Sequence, residues 1–307
     1  MKAKTQSPRV DVYRRVTERI VTDLEQGVRP WERPWRVSGQ GVGSLPVRWD
    51  GTPYRGINVL LLWCEADERG FGCNRWMTYR QAKTLGGHVR KGQQGCPVVF
   101  ADRITKTVEA DNGEQEERST LLMKSYTVFN VEQIEGLPEQ FDARVPSDRA
   151  GSVMNERVER FFAASGAGFH YGGDEAFFDP SRDLIRLPQP ESFRDAEAFI
   201  AVKAHELIHW TGHRDRLARE FGLRFGDDAY AVEELVAEMG AAFVCADLGV
   251  ASEIRGDHAA YLAGWLAVLK RDSRAIFTAA SAAQRAMDFL HGLADPSKAG
   301  ASTTTEK

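Results

Sequence analysis

Cysteine is scarce, with four residues in 307 (Cys64, Cys73, Cys96 and Cys245) and no CxxC pair among them. That spacing excludes a disulfide framework and predicts reduced thiols in a cytoplasmic protein. Long hydrophobic runs are missing as well: no window approaches the roughly eighteen apolar residues of a membrane span, and the polar segment 1–9 lacks the apolar core of a secretory leader. No membrane partner is expected. Net charge is small, −4, but it is unevenly spread. Residues 1–100 hold 17 Lys and Arg against 9 Asp and Glu, whereas residues 101–307 hold 23 against 35. The first hundred residues can therefore face a polyanion, and the rest would repel one.

A chain of this length, 42% hydrophobic and 27% charged, is long enough for two domains, each with its own core. Composition divides it into residues 1–137, a Pro-, Asp-, Arg- and Gly-bearing linker at 138–151, a second domain at 152–291, and a polar, Thr-rich disordered tail at 292–307.

In the first part, Val12, Val16, Ile20 and Leu24 recur at helical spacing until Gly27 and Pro30 end the pattern. A loop follows at 38–44, rich in Gly and Ser, and the apolar run 59–64 reads as either helix or strand. Residues 80–85 form a short helix stopped by Gly86 and Gly87, and 88–95 form a basic turn. Strands at 97–101 and 124–129 bracket an acidic hairpin loop at 109–118. The first part is α+β.

Five of the seven tryptophans, Trp31, Trp35, Trp49, Trp63 and Trp76, lie in the first hundred residues, interleaved with arginines. Aromatic faces stack on unpaired bases while cations follow the phosphates, the composition of a sequence-tolerant binder of single-stranded DNA. Trp31, Arg33, Trp35, Arg55, Trp76, Arg80, Arg90 and Lys91 are the candidate contacts. The competing reading is that tryptophans fill the core of a small domain, and about half are expected to do so.

The second part contains His205-Glu206-Leu207-Ile208-His209, an HExxH match on an apolar helix broken at Gly212. Residues four apart on a helix lie one turn above another, so the two imidazoles converge on one point where Zn²⁺ can bind. Glu206 falls beside that point, placed to take a proton from water. A third ligand is required, and the helix beginning near Tyr230 offers one. Glu234 and Glu238 share a face there, so Glu234 can ligate the metal while Glu238 accepts the outer N–H of a ligating His. Glu233 points elsewhere and is the alternative ligand. Tyr230 can support an oxyanion or be a buried tyrosine with one hydrogen bond, and His213 follows His209 too closely to be a ligand but can touch substrate or stabilise its loop. Before this helix, residues 166–171 read as a strand and 176–188 as a hairpin; if the edge of 183–187 is open, it can pair with an extended peptide substrate. The helices predicted after residue 259 pack around the metal pair.

These motifs carry a resemblance. Trp76-Met77-Thr78-Tyr79-Arg80-Gln81-Ala82, Tyr54-Arg55-Gly56-Ile57-Asn58 and the basic turn, joined to the HExxH and to Glu233-Glu234-Leu235-Val236-Ala237-Glu238, resemble the ArdC antirestriction proteins over about residues 10–290. The N-terminal part is similar to the matching domain of TraC-type primases, and the C-terminal part to gluzincin-type zincin metallopeptidases. The resemblance implies an N-terminal α+β domain that binds single-stranded DNA, followed by a mainly helical zincin-like domain with a small sheet. It also implies protection of an incoming conjugative plasmid from host restriction endonucleases. By position, His205, His209 and Glu234 match the zinc ligands of that pattern and Glu206 its general base. A protease that cuts a host or plasmid protein, with DNA binding as targeting, is the alternative expectation.

Overall fold

The computed structural model describes residues 12–29, 31, 44–109, 115–141, 151–221, 228–250 and 259–294. Helix α1, Val12–Glu25, buries Val16, Ile20 and Leu24 at every fourth position. After the short strand β1, Val47–Arg48, the ambiguous run at 59–64 lies inside helix α2, Ile57–Arg69. Its apolar residues show no clear periodicity because the helix is buried on most sides, and Gly70 ends it in the left-handed region at φ 66°. Strand β2, Arg75–Thr78, leads into helix α3, Tyr79–Thr84, which starts on a capping box formed by Thr78 and Gln81.

Strand β3, His88–Val89, opens the basic turn. Strands β4, Cys96–Glu109, and β5, Gln115–Asn130, then pair antiparallel along their whole length. They run well past the expected 97–101 and 124–129, because Ile104, Thr105, Thr107 and Val108 favour extended backbone despite the charged residues among them. Strand β6, Ile134–Glu135, pairs with β3, and the larger sheet has the order β1-β2-β5-β4. The segments expected to be the 38–44 loop, the linker and the tail lie wholly or mostly outside the described residues.

The second half begins with helix α4, Gly151–Ala164, and a three-stranded sheet of β7, Gly168–Tyr171, β8, Phe177–Asp179, and β9, Leu184–Leu187. Its order is β7-β9-β8, which corrects the expectation of an open edge at 183–187: β9 is central, parallel to β7 and antiparallel to β8. Both its hydrogen-bonding edges are used, so no peptide can add there. The hairpin turn places Asp183 at φ 50°, held by Arg216 with bonds of 2.9 and 2.5 Å.

Four helices complete the chain: α5, Ala196–Thr211, α6, Asp228–Leu248, α7, Ala259–Arg271, and α8, Ala275–Ala294. Asp195 caps α5 by accepting from the Ala198 amide at 2.8 Å. Gly240 lets α6 approach α5 closely, since a Cβ there would meet three carbons of Ile208 at 2.9 Å. Lys203, buried on α5, rests its ammonium 4.5 Å from the ring centre of Phe169 and 4.6 Å from that of Phe162.

The cores of the two halves are not separate. Tyr13 packs on Phe277, Trp31 on Trp265 and Trp63 on Phe243, at ring distances of 4.7, 5.6 and 5.9 Å, within one continuous cluster of buried residues. Among the described residues, no helix is long and apolar enough to cross a membrane.

Candidate metal centre

His205 and His209 both project from α5 into the face of α6, and both are buried. Their Nε2 atoms stand 3.2 Å apart. Glu234 of α6 places its carboxylate oxygens 3.6 Å from His205 Nε2 and 3.4 Å from His209 Nε2. One atom from each of the three residues falls within 4.8 Å of the others, the one such group of His, Cys, Asp or Glu among the described residues.

The outer nitrogens settle the protonation pattern. His205 Nδ1 lies 3.0 Å from Glu238 Oε1, and His209 Nδ1 lies 3.1 Å from Glu233 Oε1. A carboxylate only accepts, so each Nδ1 carries a proton, and each Nε2, once deprotonated, presents its lone pair inward. Two lone pairs and a carboxylate at these separations repel unless positive charge lies among them, a proton on His209 in the metal-free protein or a metal ion in its place. A tetrahedral ion with bonds of about 2.0–2.1 Å needs ligand atoms roughly 3.3–3.4 Å apart, close to the spacing seen. The residues therefore fit a divalent metal.

The electrostatics point the same way. Burial alone would lower the His209 pKa, but Glu233 and Glu234 outweigh it and lift the pKa to about 10. Burial would raise both glutamates, yet their partners hold them below the ordinary carboxylate value. For Glu234 these are His205 and His209, and for Glu233 they are Arg219 and then His209.

Glu233 corrects the sequence reading, in which it pointed away from the site. Besides orienting His209, it accepts from Arg219 Nε at 2.9 Å and Nη2 at 2.8 Å. Arg219 also donates to Thr211 Oγ1 at 2.8 Å and to the Ile208 carbonyl at 2.6 Å, tying the loop after α5 back onto the end of that helix. The adjacent acids Glu233 and Glu234 were a visible signal for a second supporting carboxylate. Arg219 had none, because a loop return is not encoded by spacing.

Glu206 is buried and lines a cavity of about 190 Å³ together with His205, His209 and Glu234. Phe177, Phe178, Phe221, Tyr230 and Tyr261 form its aromatic wall. The Tyr230 and Tyr261 hydroxyls are 3.3 Å apart, and burial, with that bond next, pushes the Tyr230 hydroxyl above its ordinary pKa. It stays protonated and able to donate. His213 is buried away from the ligands, where its Nδ1 accepts from the Asp215 amide at 3.3 Å, a loop-stabilising role.

The nucleic-acid candidates separate by exposure. Trp31 and Trp76 are 2% and 0% exposed, so neither face can meet a base without unpacking the core. They are corrected to core residues, as Trp63 also is at 1%. Trp49, 38% exposed, keeps a free surface, and Arg33 and Trp35 lie outside the described residues. Arg80, Arg90 and Lys91 are exposed, and among the described residues no carboxylate pairs with them. Helix α3, which carries Arg80 and Lys83 and begins at the 57%-exposed Tyr79, packs beside β3, which Arg90 and Lys91 follow in the chain; Tyr79 was not among the expected contacts. Arg55 instead pairs with Asp288 of α8.

Comparison with known proteins adds independent findings. The family model described as the N-terminal domain of anti-restriction factor ArdC matches residues 10–129, and that of a zincin-like metallopeptidase matches residues 156–282. The y4eC protein of Sinorhizobium fredii (strain NBRC 101917 / NGR234) is 39% identical over 293 residues, covering 94% of either chain. A DNA primase TraC of Escherichia coli is 37% identical over 298 residues, which is 91% of this chain and 27% of the primase. The metal-free crystal structure of the antirestriction ArdC protein from the R388 plasmid superposes with a TM-score of 0.78 at 42% identity, covering 93% of this chain and 98% of that one. Its Mn(II)-bound structure gives 0.74 at 40% identity over the same shares.

Proposed function

Because the chain belongs to the ArdC antirestriction family, we propose that it binds single-stranded DNA and protects incoming conjugative plasmid DNA from host restriction endonucleases. The observation that carries this reading is that Tyr79, Arg80, Arg90 and Lys91 are all exposed, on or just after the packed elements α3 and β3, in the half that matches the ArdC N-terminal domain. A strand can run its phosphates past such cations while unpaired bases stack on the tyrosine. Replacing Arg80, Arg90 and Lys91 together by Ala removes up to three phosphate contacts. The slope of log affinity against log salt should then fall by about 2, at about 0.7 per contact. An unchanged slope, measured by fluorescence anisotropy on a labelled oligonucleotide, would remove this surface from DNA binding.

The second reading is peptide hydrolysis, favoured by the buried Glu206 facing an aromatic-walled cavity. His205, His209 and Glu234 would hold one Zn²⁺. Bound there, the ion supplies Lewis acidity, polarising a scissile carbonyl and making water more acidic. Glu206 takes the proton of the attacking water and returns it to the departing amine. Glu238 and Glu233 keep both imidazoles turned inward, and the Tyr230 hydroxyl can donate to the developing oxyanion. Phe177, Phe178 and Phe221 exclude water and suit an apolar side chain. Plasmid transfer into a restricting host separates the two activities: full protection by Glu206→Gln removes hydrolysis from antirestriction, whereas lost protection joins them.

A further inference from the structure

We infer that a single-stranded nucleic acid also binds in the cleft between the two halves, so that the DNA-binding face extends onto α8; this rests on the DNA-binding reading above. The cleft measures about 570 Å³. One wall is a polar stripe of α8 and the residue before it: Arg274, Thr278, Ser281, Arg285 and Asp288 follow one another at steps of four, three, four and three, and so share one helix face. The opposite wall carries Arg55, Asn58 and Phe100 from the N-terminal half.

Charge selects the ligand. Asp288 is the one carboxylate among the described lining residues, and Arg55 already pairs with it. Arg274 and Arg285 are exposed and have no carboxylate in ion-pair range among the described residues. Arg285 donates to Ser281 Oγ at 2.9 Å, while Arg274 lies 5.3 Å from the ring centre of Tyr13. Two uncompensated guanidiniums facing a cleft suit the bidentate geometry of phosphate oxygens. The positive end of α8 adds to their field.

Shape and aromatics narrow the ligand further. Asn58 makes two hydrogen bonds to the Val99 backbone, 2.7 and 2.8 Å, which fix the outer edge of β4. Phe100, next along that strand, is 42% exposed, with Tyr126 5.7 Å away and the Lys124 ammonium 5.9 Å from its ring centre. A large exposed ring beside unmatched arginines is a stacking platform for an unpaired base. Paired bases in a duplex present no free face to it, so the occupant is a single strand. This also gives Arg55 a place in DNA binding, as the clasp that neutralises Asp288 and holds the walls together.

The test uses the full chain and a labelled oligothymidylate of about 20 nucleotides, longer than most single-fold footprints. Arg274→Ala with Arg285→Ala should weaken binding about tenfold and lower the salt slope by about 1.4, and Phe100→Ala should weaken binding about fivefold at an unchanged slope. Arg285→Glu leaves the Arg274–Tyr13 contact intact and should weaken binding at an unchanged melting temperature. Arg274→Lys with Arg285→Lys should retain most of the affinity. If the cleft variants bind like the parent while Arg80→Ala/Arg90→Ala/Lys91→Ala binds weakly, the cleft proposal fails and the DNA-binding reading stands. If the parent binds no oligonucleotide, both fail. Displacement of the oligonucleotide from the parent by polyglutamate at equal charge concentration would assign the cleft to an acidic polypeptide and overturn the proposal.

Discussion

The buried carboxylates around His205 and His209 do different jobs, and single substitutions should resolve them. Glu233 bears on the metal only through His209, so Glu233→Gln keeps the shape but weakens the acceptor and leaves Arg219 with less counter-charge. A loss of about 10–100-fold in metal affinity is expected, read by competition with a chromogenic chelator; an unchanged affinity would reduce Glu233 to a loop anchor. Protons compete at the same place. With its pKa lifted to about 10, the His209 imidazole is charged at neutral pH once metal is stripped, so an entering ion must expel that proton. Calorimetry in buffers of different ionisation enthalpy should find about one proton released per ion bound, with affinity rising as pH rises toward 10. The stripped protein follows the same signs. The folded His209 pKa exceeds its unfolded value of 6.5, so its stabilisation is complete below pH 6.5 and is lost as pH climbs through about 10. Glu233 and Glu234 are depressed from 4.5, so theirs is present above 4.5 and is lost as pH falls through their folded values. Stability of the stripped form should therefore be greatest between about 4.5 and 6.5 in urea titrations, and a maximum above pH 8 would contradict this pairing.

At the scale of elements, the site is a property of the α5–α6 contact. Helix interiors ordinarily gain up to about 1 kcal/mol when Gly becomes Ala, but a methyl on Gly240 would press on Ile208, which is fully buried and cannot yield cheaply. Overpacking of this kind costs about 1–3 kcal/mol, so Gly240→Ala should lower the melting temperature and, by moving Glu234 and Glu238 away from the histidines, also lower metal affinity. A stabilised variant with full metal content would show that the helices have room to spare. This contact also marks how far the sequence could be read. His205, His209, Glu234 and Glu238 were legible because turn geometry sets which side chains share a helix face, and that geometry is local. The Arg219–Glu233 bond, the central place of β9 and the length of β4 and β5 were not, since each depends on which distant backbone comes alongside. Tryptophan likewise does not announce its surroundings: Trp76 and Trp49 sit in similar basic, aromatic stretches, yet one is fully buried and the other 38% exposed.

For the whole molecule, composition predicted a basic half and an acidic half with separate cores, and the charge division remains while the separate cores do not. Trp31 on Trp265, Tyr13 on Phe277 and the bond from Thr17 Oγ1 to the Ser273 carbonyl, 2.6 Å, join α1 and its following loop to the helices behind the metal centre. Domains that share so much buried surface melt together, so an ion held by α5 and α6 should stabilise residues that never touch it. Free metal at 100 times its dissociation constant adds about 2.7 kcal/mol to whatever unfolds as one unit with the site. Calorimetry should show one transition, shifted upward by metal, and the fluorescence of the N-terminal tryptophans should report the same shift. Trp31→Ala tests the coupling from the other side. Emptying that site should cost about 3–5 kcal/mol, and it should lower the transition of the metal-bearing half too, although Trp31 lies in the other family domain. Two separate transitions, with metal moving one and Trp31→Ala the other, would show that the halves fold independently and that their shared core transmits nothing.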